Sequence, residues 1–276
     1  MSRTVESLVE IFEELWPLEN TEPWDVVGLV LGQPKQVVSK VLMTVDATAE
    51  VAEYAIQNHV DLILAHHPLL LKGVTNVSED TAKGAVVSRL IKAGVALYTA
   101  HTNADVVSTG TSMAIANALG LKDTKPLGKL VDENQGAGVQ GEIEPISLGE
   151  LAARLNDFLP PTASGVRVAG DFDRPITKIA LCAGAGDSYL QLALDSGADV
   201  YITSDLRHHP AQEIIEQAKA RGVDFSLVDI SHWAAEFIWL DTAKNEIQSK
   251  ATSVEIEVCD IRTDVFDFLM NKPKNL

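Results

Sequence analysis

Asp61-Leu62-Ile63-Leu64-Ala65-His66-His67-Pro68 decides the fold. A short apolar run comes after one aspartate and ends in two histidines and a proline. Such a run, bounded by a breaker, reads as a strand buried on both faces. In open parallel sheets, ligand groups gather just beyond the carboxyl ends of strands. Adjacent residues leaving a strand point to opposite sides, so His66 and His67 could each give an imidazole to a different metal. The competing reading is a hydrogen-bonded pair of histidines closing a strand.

The flanking sequence repeats the pattern. Lys40–Thr44 reads as a strand and 48–58 as a helix. The spacing predicts a helix over 81–93, closed by Gly94, and a buried strand over 95–100 that runs into His101-Thr102-Asn103-Ala104-Asp105. A second series has the same order: strand 178–183, helix 188–196, strand 199–203, helix 210–221 closed by Gly222, and strand 225–228. The series align, Lys40 with Lys178 and Val60-Asp61-Leu62-Ile63 with Ala198-Asp199-Val200-Tyr201. The expected architecture is α/β: two related three-layer lobes, each with a mostly parallel sheet. The first lobe is placed at 1–125 and the second at 126–250, with a C-terminal strand and tail at 251–276. Between the halves, 136–141 is rich in glycine and polar residues. Ser147 and Glu150 form a capping box, 253–258 reads as a strand, and 264–270 as a short helix or turn.

Composition narrows the class. Hydrophobic residues make up 46% of the 276 and charged residues 22%, enough to bury a core and too apolar for disorder. The net charge of −17 opposes tight binding of nucleic acid, which needs clustered Lys and Arg. It permits a small anionic substrate held through a metal. Cys182 and Cys259 lie in apolar runs and read as buried thiols; two cysteines so far apart make no thiolate zinc site. The acidic start, with Glu6, Glu10, Glu13 and Glu14, is no secretory signal, and no apolar run spans a bilayer. A cytoplasmic chain is expected.

Six of the seven histidines fall at four strand ends, and only His59 lies elsewhere. His232 and Glu236 are four apart at the start of a helical stretch, so they share a face. Their bland alternative is an exposed i,i+4 pair. Asp105 taken alone is better explained as an Asx turn or cap. Jointly, His66, His67, Asp105, His232 and Glu236 make a nitrogen and oxygen set suited to two divalent transition metals, with zinc preferred to manganese or iron. Asp105 and Glu236 could bridge both ions. In Asp205-Leu206-Arg207-His208-His209, His209 and Asp205 are candidates for proton transfer, against the alternative of a helix cap and solvent-facing histidines. Gly184-Ala185-Gly186-Asp187 could receive a phosphate on its amides, or be a tightly packed turn.

With these residues assembled, the chain resembles the Nif-three-like family, whose members are named GTP cyclohydrolase 1 type 2 homologues. The resemblance rests on Trp24-Asp25-Val26-Val27-Gly28-Leu29, Val45-Asp46-Ala47-Thr48, Ala65-His66-His67-Pro68-Leu69, His101-Thr102-Asn103-Ala104-Asp105, Gly184-Ala185-Gly186, Gly197-Ala198-Asp199-Val200-Tyr201-Ile202-Thr203 with Asp205, and His232 with Glu236. It departs from the family pattern at Ser204, Ile230-Ser231 and Trp233, none of them an expected ligand. The resemblance implies a dinuclear metal site on the same five residues, two α/β lobes facing each other across it, and a toroidal homohexamer. It also implies a metal-dependent hydrolase acting on GTP or a related nucleotide. A metal-binding or adaptor protein without turnover is the alternative.

Overall fold

The aspartate before the apolar run ties its strand to the one before it. In the computed structural model, which describes residues 3–132 and 135–270, Asp61 Oδ2 accepts from Ser39 N at 2.7 Å and Lys40 N at 3.0 Å. Asp199 does the same, accepting from Thr177 N and Lys178 N, both at 2.8 Å. In each case the carboxylate satisfies amides of the neighbouring strand just ahead of the first parallel pair, Val41 with Leu62 and Ile179 with Val200. The two sequence series are therefore also alike in how their strands are started.

The chain forms two compact units. One is Met1–Gly110 with Trp239–Thr263, the other Thr111–Ile238 with Asp264–Leu276. The first boundary thus falls ahead of the expected 125, and the helix Trp239–Lys250, expected in the second lobe, belongs to the first unit. Its buried residues Trp239, Leu240, Ala243 and Ile247 explain why: Trp239 packs on Trp16 at the end of the opening helix, ring centroids 5.4 Å apart.

The first unit holds a five-stranded sheet in the order Glu255–Val258, Lys40–Thr44, Leu62–Ala65, Ala96–Thr99, Gly28–Leu31. Three of its four pairings are parallel; only Gly28–Leu31 runs against its neighbour. Alternate residues serve opposite faces. Leu42, Ile63 and Leu97 pack with Val51, Ala55, Val86 and Leu90 of the helices Ala49–Gln57 and Ala82–Ala93. Tyr98 faces the other way, against Phe12 of Val5–Leu15 at 4.9 Å. Thr48 and Thr81 cap the starts of the two covering helices, and the left-handed Gly94 closes the second as the sequence predicts.

The second unit holds six strands in the order Lys122–Asp132, Gln135–Ser147, Pro175–Ala185, Val200–Ser204, Ser226–Ile230, Arg167–Ala169. The mostly parallel expectation is corrected here. Only two of the five pairings, those of Val200–Ser204 with its neighbours, are parallel. Two of the three antiparallel pairings come from the glycine-rich stretch between the halves: 136–141 lies inside a strand that runs against both its neighbours. Its glycines make close approach possible rather than flexibility, since a Cβ on Gly138 would sit 2.7 Å from Leu181 O. Ser147 caps Leu148–Phe158 by accepting from Glu150 N at 3.1 Å, but Glu150 turns to Arg154 at 2.6 Å, so only half of the capping box forms. Residues 264–270, expected as a helix or turn, have no regular structure. Both cysteines are buried thiols. Among the described residues no helix is long and apolar enough to cross a membrane.

Candidate metal centre

The end of Leu62–Ala65 carries the ladder one step further. His66 N donates to Thr44 O at 3.0 Å and His67 N to Val45 O at 2.8 Å. Both imidazoles therefore leave a rigid edge. His66 is fully buried, against the Trp239 ring at 5.3 Å. The neighbouring strand ends in His101, whose ring lies 5.2 Å from that of His66 and 5.4 Å from that of His67. Each of the three offers a ring nitrogen, all within 4.8 Å of one another, a group able to hold a metal ion. The sequence motif contains His101 but does not by itself single it out as a donor. A signal for it exists: His101 ends a buried strand next to the one ending in His66.

Asp105 closes the short helix Thr102–Asp105, and its Oδ1 lies 3.6 Å from His66 Nε2. That is too long for a hydrogen bond. It is close to the ~3.4 Å that two donors at zinc distances would span across a tetrahedral angle. Asn103 ties this segment back on itself: its Oδ1 accepts from His101 N at 3.0 Å while its amide donates to Trp16 O at 2.7 Å.

In the second unit, Ser231 caps the helix His232–Phe237, accepting from Ala234 N. His232 Nε2 and Glu236 Oε1 are 3.0 Å apart. Glu236 is 3% exposed, which excludes the exposed-pair reading. Gly184 presses on both: a Cβ there would stand 2.6 Å from Glu236 Oε1 and 3.3 Å from His232 Nε2, and its φ is +72°. Gly186 is packed just as closely against Thr203 and Tyr201, so close packing accounts for the glycine pair. His208 and His209 stand exposed on the first turn of His208–Ala220, rings 5.2 Å apart. Arg207 pairs with Asp187.

One pattern runs through four histidines. His66 Nδ1 is 2.8 Å from Ala100 O, and His67 Nδ1 is 2.8 Å from Asp46 Oδ1. His101 Nδ1 is 2.9 Å from Asp25 Oδ1, and His232 Nδ1 is 2.7 Å from Asp205 Oδ2. A carbonyl or an ionised carboxylate only accepts, so each Nδ1 carries a proton, and each ring in its neutral form presents the Nε2 lone pair to a metal. Imidazole nitrogens beside carboxylates, with the backbone of Gly184 close against one pair, fit a borderline divalent ion. Asp205, expected as a proton-transfer group, is placed behind His232. It sits just past Val200–Ser204 at φ +57°, a left-handed conformation aspartate tolerates.

Burial would pull the His232 imidazolium down, but the charge of Glu236 and the carboxylate of Asp205 outweigh it and hold the group up to about 11. Burial would raise Asp25, yet its bonds from His101 and Thr102 bring it down to about 2. The Asp25 side chain is fully buried and accepts from His101, Thr102 N, Thr102 Oγ1 and Val26 N. A depressed carboxylate stabilises the fold above its ordinary value near 3.8 and loses that contribution as pH falls toward 2, here about 2 kcal/mol. Asp25→Asn should cost about that much at neutral pH. Its stability should also change less than the parent's between pH 4 and 2, read by urea unfolding across that range. Parallel curves would show that the bonds to His101 and Thr102 are not worth what the geometry implies.

The family model for Duf34/NIF3 (NGG1p interacting factor 3) matches residues 3–265. The chain belongs to the NIF3 family. A Streptomyces coelicolor protein named GTP cyclohydrolase 1 type 2 homolog is 41% identical over 238 residues, 85% of this chain and 82% of that one. A crystal structure of a Staphylococcus aureus protein is 28% identical, with a TM-score of 0.83 over 96% of this chain and 99% of that one. A Bacillus cereus protein related to NIF3 shares the fold, TM-score 0.87 at 23% identity over 97% and 99%. This mixed α/β architecture is therefore that of solved NIF3 structures.

Proposed function

We propose that this NIF3-family chain is a dinuclear metal-dependent hydrolase with His66, His67, Asp105, His232 and Glu236 as metal ligands, and with His101, grouped with His66 and His67, as a further donor. The observation that carries the reading is the oxygen partner on the Nδ1 of His66, His67, His101 and His232, the arrangement that fixes an imidazole as a ligand. Two divalent ions, zinc before manganese or iron, would supply Lewis acidity and a water acidified toward neutral pH. The chain's own residues do the rest. Ala100, Asp46 and Asp205 hold three rings in the donor tautomer. The buried carboxylate of Glu236 sets the local charge. His209, exposed at a helix start, is the candidate for moving a proton to the leaving group. Asp205 we assign to orienting His232.

The relatives' name points to GTP or a related nucleotide as substrate, and the resemblance to a homohexamer. Native mass spectrometry of protein purified without chelator reads both the metal and the assembly. The expected result is about two transition-metal ions per 29.7 kDa chain in a six-chain assembly, with His66→Ala losing metal but not fold. A metal-free monomer that takes up neither zinc nor manganese sinks the reading. Turnover of GTP by metal-loaded protein then separates a hydrolase from a protein that only holds metal: no product over hours would favour the latter.

A further inference from the structure

We propose that Trp24 is a stacking platform for the planar heteroaromatic ring of a ligand whose anionic part is held at the imidazole cluster. The inference rests on reading His66, His67 and His101 as part of a metal centre, and adds the class of molecule bound there.

Three of the four tryptophans are interior, Trp16 and Trp239 at 0% and Trp233 at 7% exposed, whereas Trp24 is 59% exposed. A large aromatic surface left in water is costly. A flexible loop would fold it away, but this one is pinned. Asp25 N donates to Glu22 O at 2.9 Å, closing a turn around the tryptophan. Glu22 N donates to Thr102 Oγ1 at 3.0 Å, and the same hydroxyl donates to Asp25 Oδ2 at 2.6 Å. Asp25 also holds His101 Nδ1. The segment is thus fastened to the strand end that supplies the third imidazole, and the indole lies 5.9 Å from that ring at 80°. The hydrogen bonds that orient His101 also hold Trp24 out beside it. Val26, 51% exposed, extends the apolar surface next to it.

Charge selects the occupant. An indole face attracts cations, but a cationic ligand would be repelled by metal ions at the neighbouring imidazoles. A neutral planar ring joined to an anion suits both halves: the anion faces the metals and the ring lies on Trp24. Every nucleobase has a face to offer, so stacking favours rings over ring-free anions without choosing among bases.

Tryptophan fluorescence of the metal-loaded full chain, quenched by acrylamide, tests this because Trp24 should be the one accessible indole. Trp24→Phe supplies the background. Guanosine and GTP are expected to shield Trp24, and inorganic tripolyphosphate to leave it exposed. Trp24→Ala should weaken guanosine and GTP about tenfold or more while changing tripolyphosphate less than twofold, and Trp24→Phe should recover part of the loss. The proposal is overturned if Trp24 resists acrylamide before any ligand is added, as it would beneath a second copy of the chain. It is overturned equally if Trp24→Ala weakens all three ligands alike. The guanosine titration is repeated on metal-free protein. If the chain takes up no metal but guanosine still shields Trp24, the metal centre fails and the stacking contact stands.

Discussion

Glu236→Gln is expected to lower metal affinity by on the order of a hundredfold or more while leaving the fold intact. Glutamine keeps the shape of the side chain and removes its charge. Glu236 is buried, its carboxylate 3.0 Å from His232 Nε2. A ligand carboxylate contributes charge and donor strength together, and changes even one shell further out commonly cost ten- to a hundredfold in affinity. A second readout comes from the metal-free protein. Burial works against the imidazolium of His232, and the charge of Glu236 leads the opposing influences that hold it up to about 11. A histidine must give up its extra proton to bind a metal, so loading the parent protein at neutral pH should release a proton from His232, and affinity should rise with pH. Removing the Glu236 charge should lower that group's titration. Calorimetry in buffers of different ionisation enthalpy counts the protons, and nuclear magnetic resonance follows the His232 ring directly. Unchanged affinity and unchanged proton release in Glu236→Gln would remove Glu236 from the centre.

Much of this site is readable without coordinates because it lies at strand ends. Leu62-Ile63-Leu64-Ala65 can only be a buried strand, and the residues just beyond it must emerge at the sheet's carboxyl edge. The spacing of His232 and Glu236 likewise survives folding unchanged, since one helical turn brings them together whatever else the chain does. The carboxylates that orient the rings are different. Asp46 lies 21 residues from His67, Asp205 27 from His232 and Asp25 76 from His101. Each sits where an aspartate looks ordinary: in a turn after a strand, before a helix, or beside a proline in a loop. Only the sheet order makes them neighbours of an imidazole. Glycine misleads for a related reason. A run such as 136–141 has the composition of a connecting segment, yet it is paired on both sides as a strand, with Leu181 O close against Gly138. Trp239, too, sits in a helix whose sequence position suggests the second lobe, while its partner Trp16 lies near the other end of the chain.

Gly184→Ala should disable the His232–Glu236 pair without touching either residue. Two costs are expected, and they can be separated. The first is conformational. Gly184 has φ +72°, where a Cβ costs about 1–2 kcal/mol. The second is steric and local. The added Cβ would stand 2.6 Å from Glu236 Oε1, a distance real Cβ atoms essentially never show. Glu236 is confined on a short helix, so its carboxylate must rotate off His232 Nε2 or push the helix outward. Gly197 supplies the control. It lies in the same unit at φ +75°, and a Cβ there would meet nothing within 4 Å. Gly197→Ala should therefore show the conformational cost alone, with metal affinity unchanged. Gly184→Ala should lose at least as much stability in the metal-free protein, and in addition bind metal at least tenfold more weakly, because the displaced carboxylate no longer shares a point with the imidazole. Urea unfolding of the metal-free proteins measures the first cost and metal titration the second. If the two alanines lower stability alike and leave metal affinity alike, the closeness of Gly184 to Glu236 is packing without consequence for the centre. If only Gly184→Ala loses metal, position 184 must be glycine because a ligand occupies the space a side chain would take.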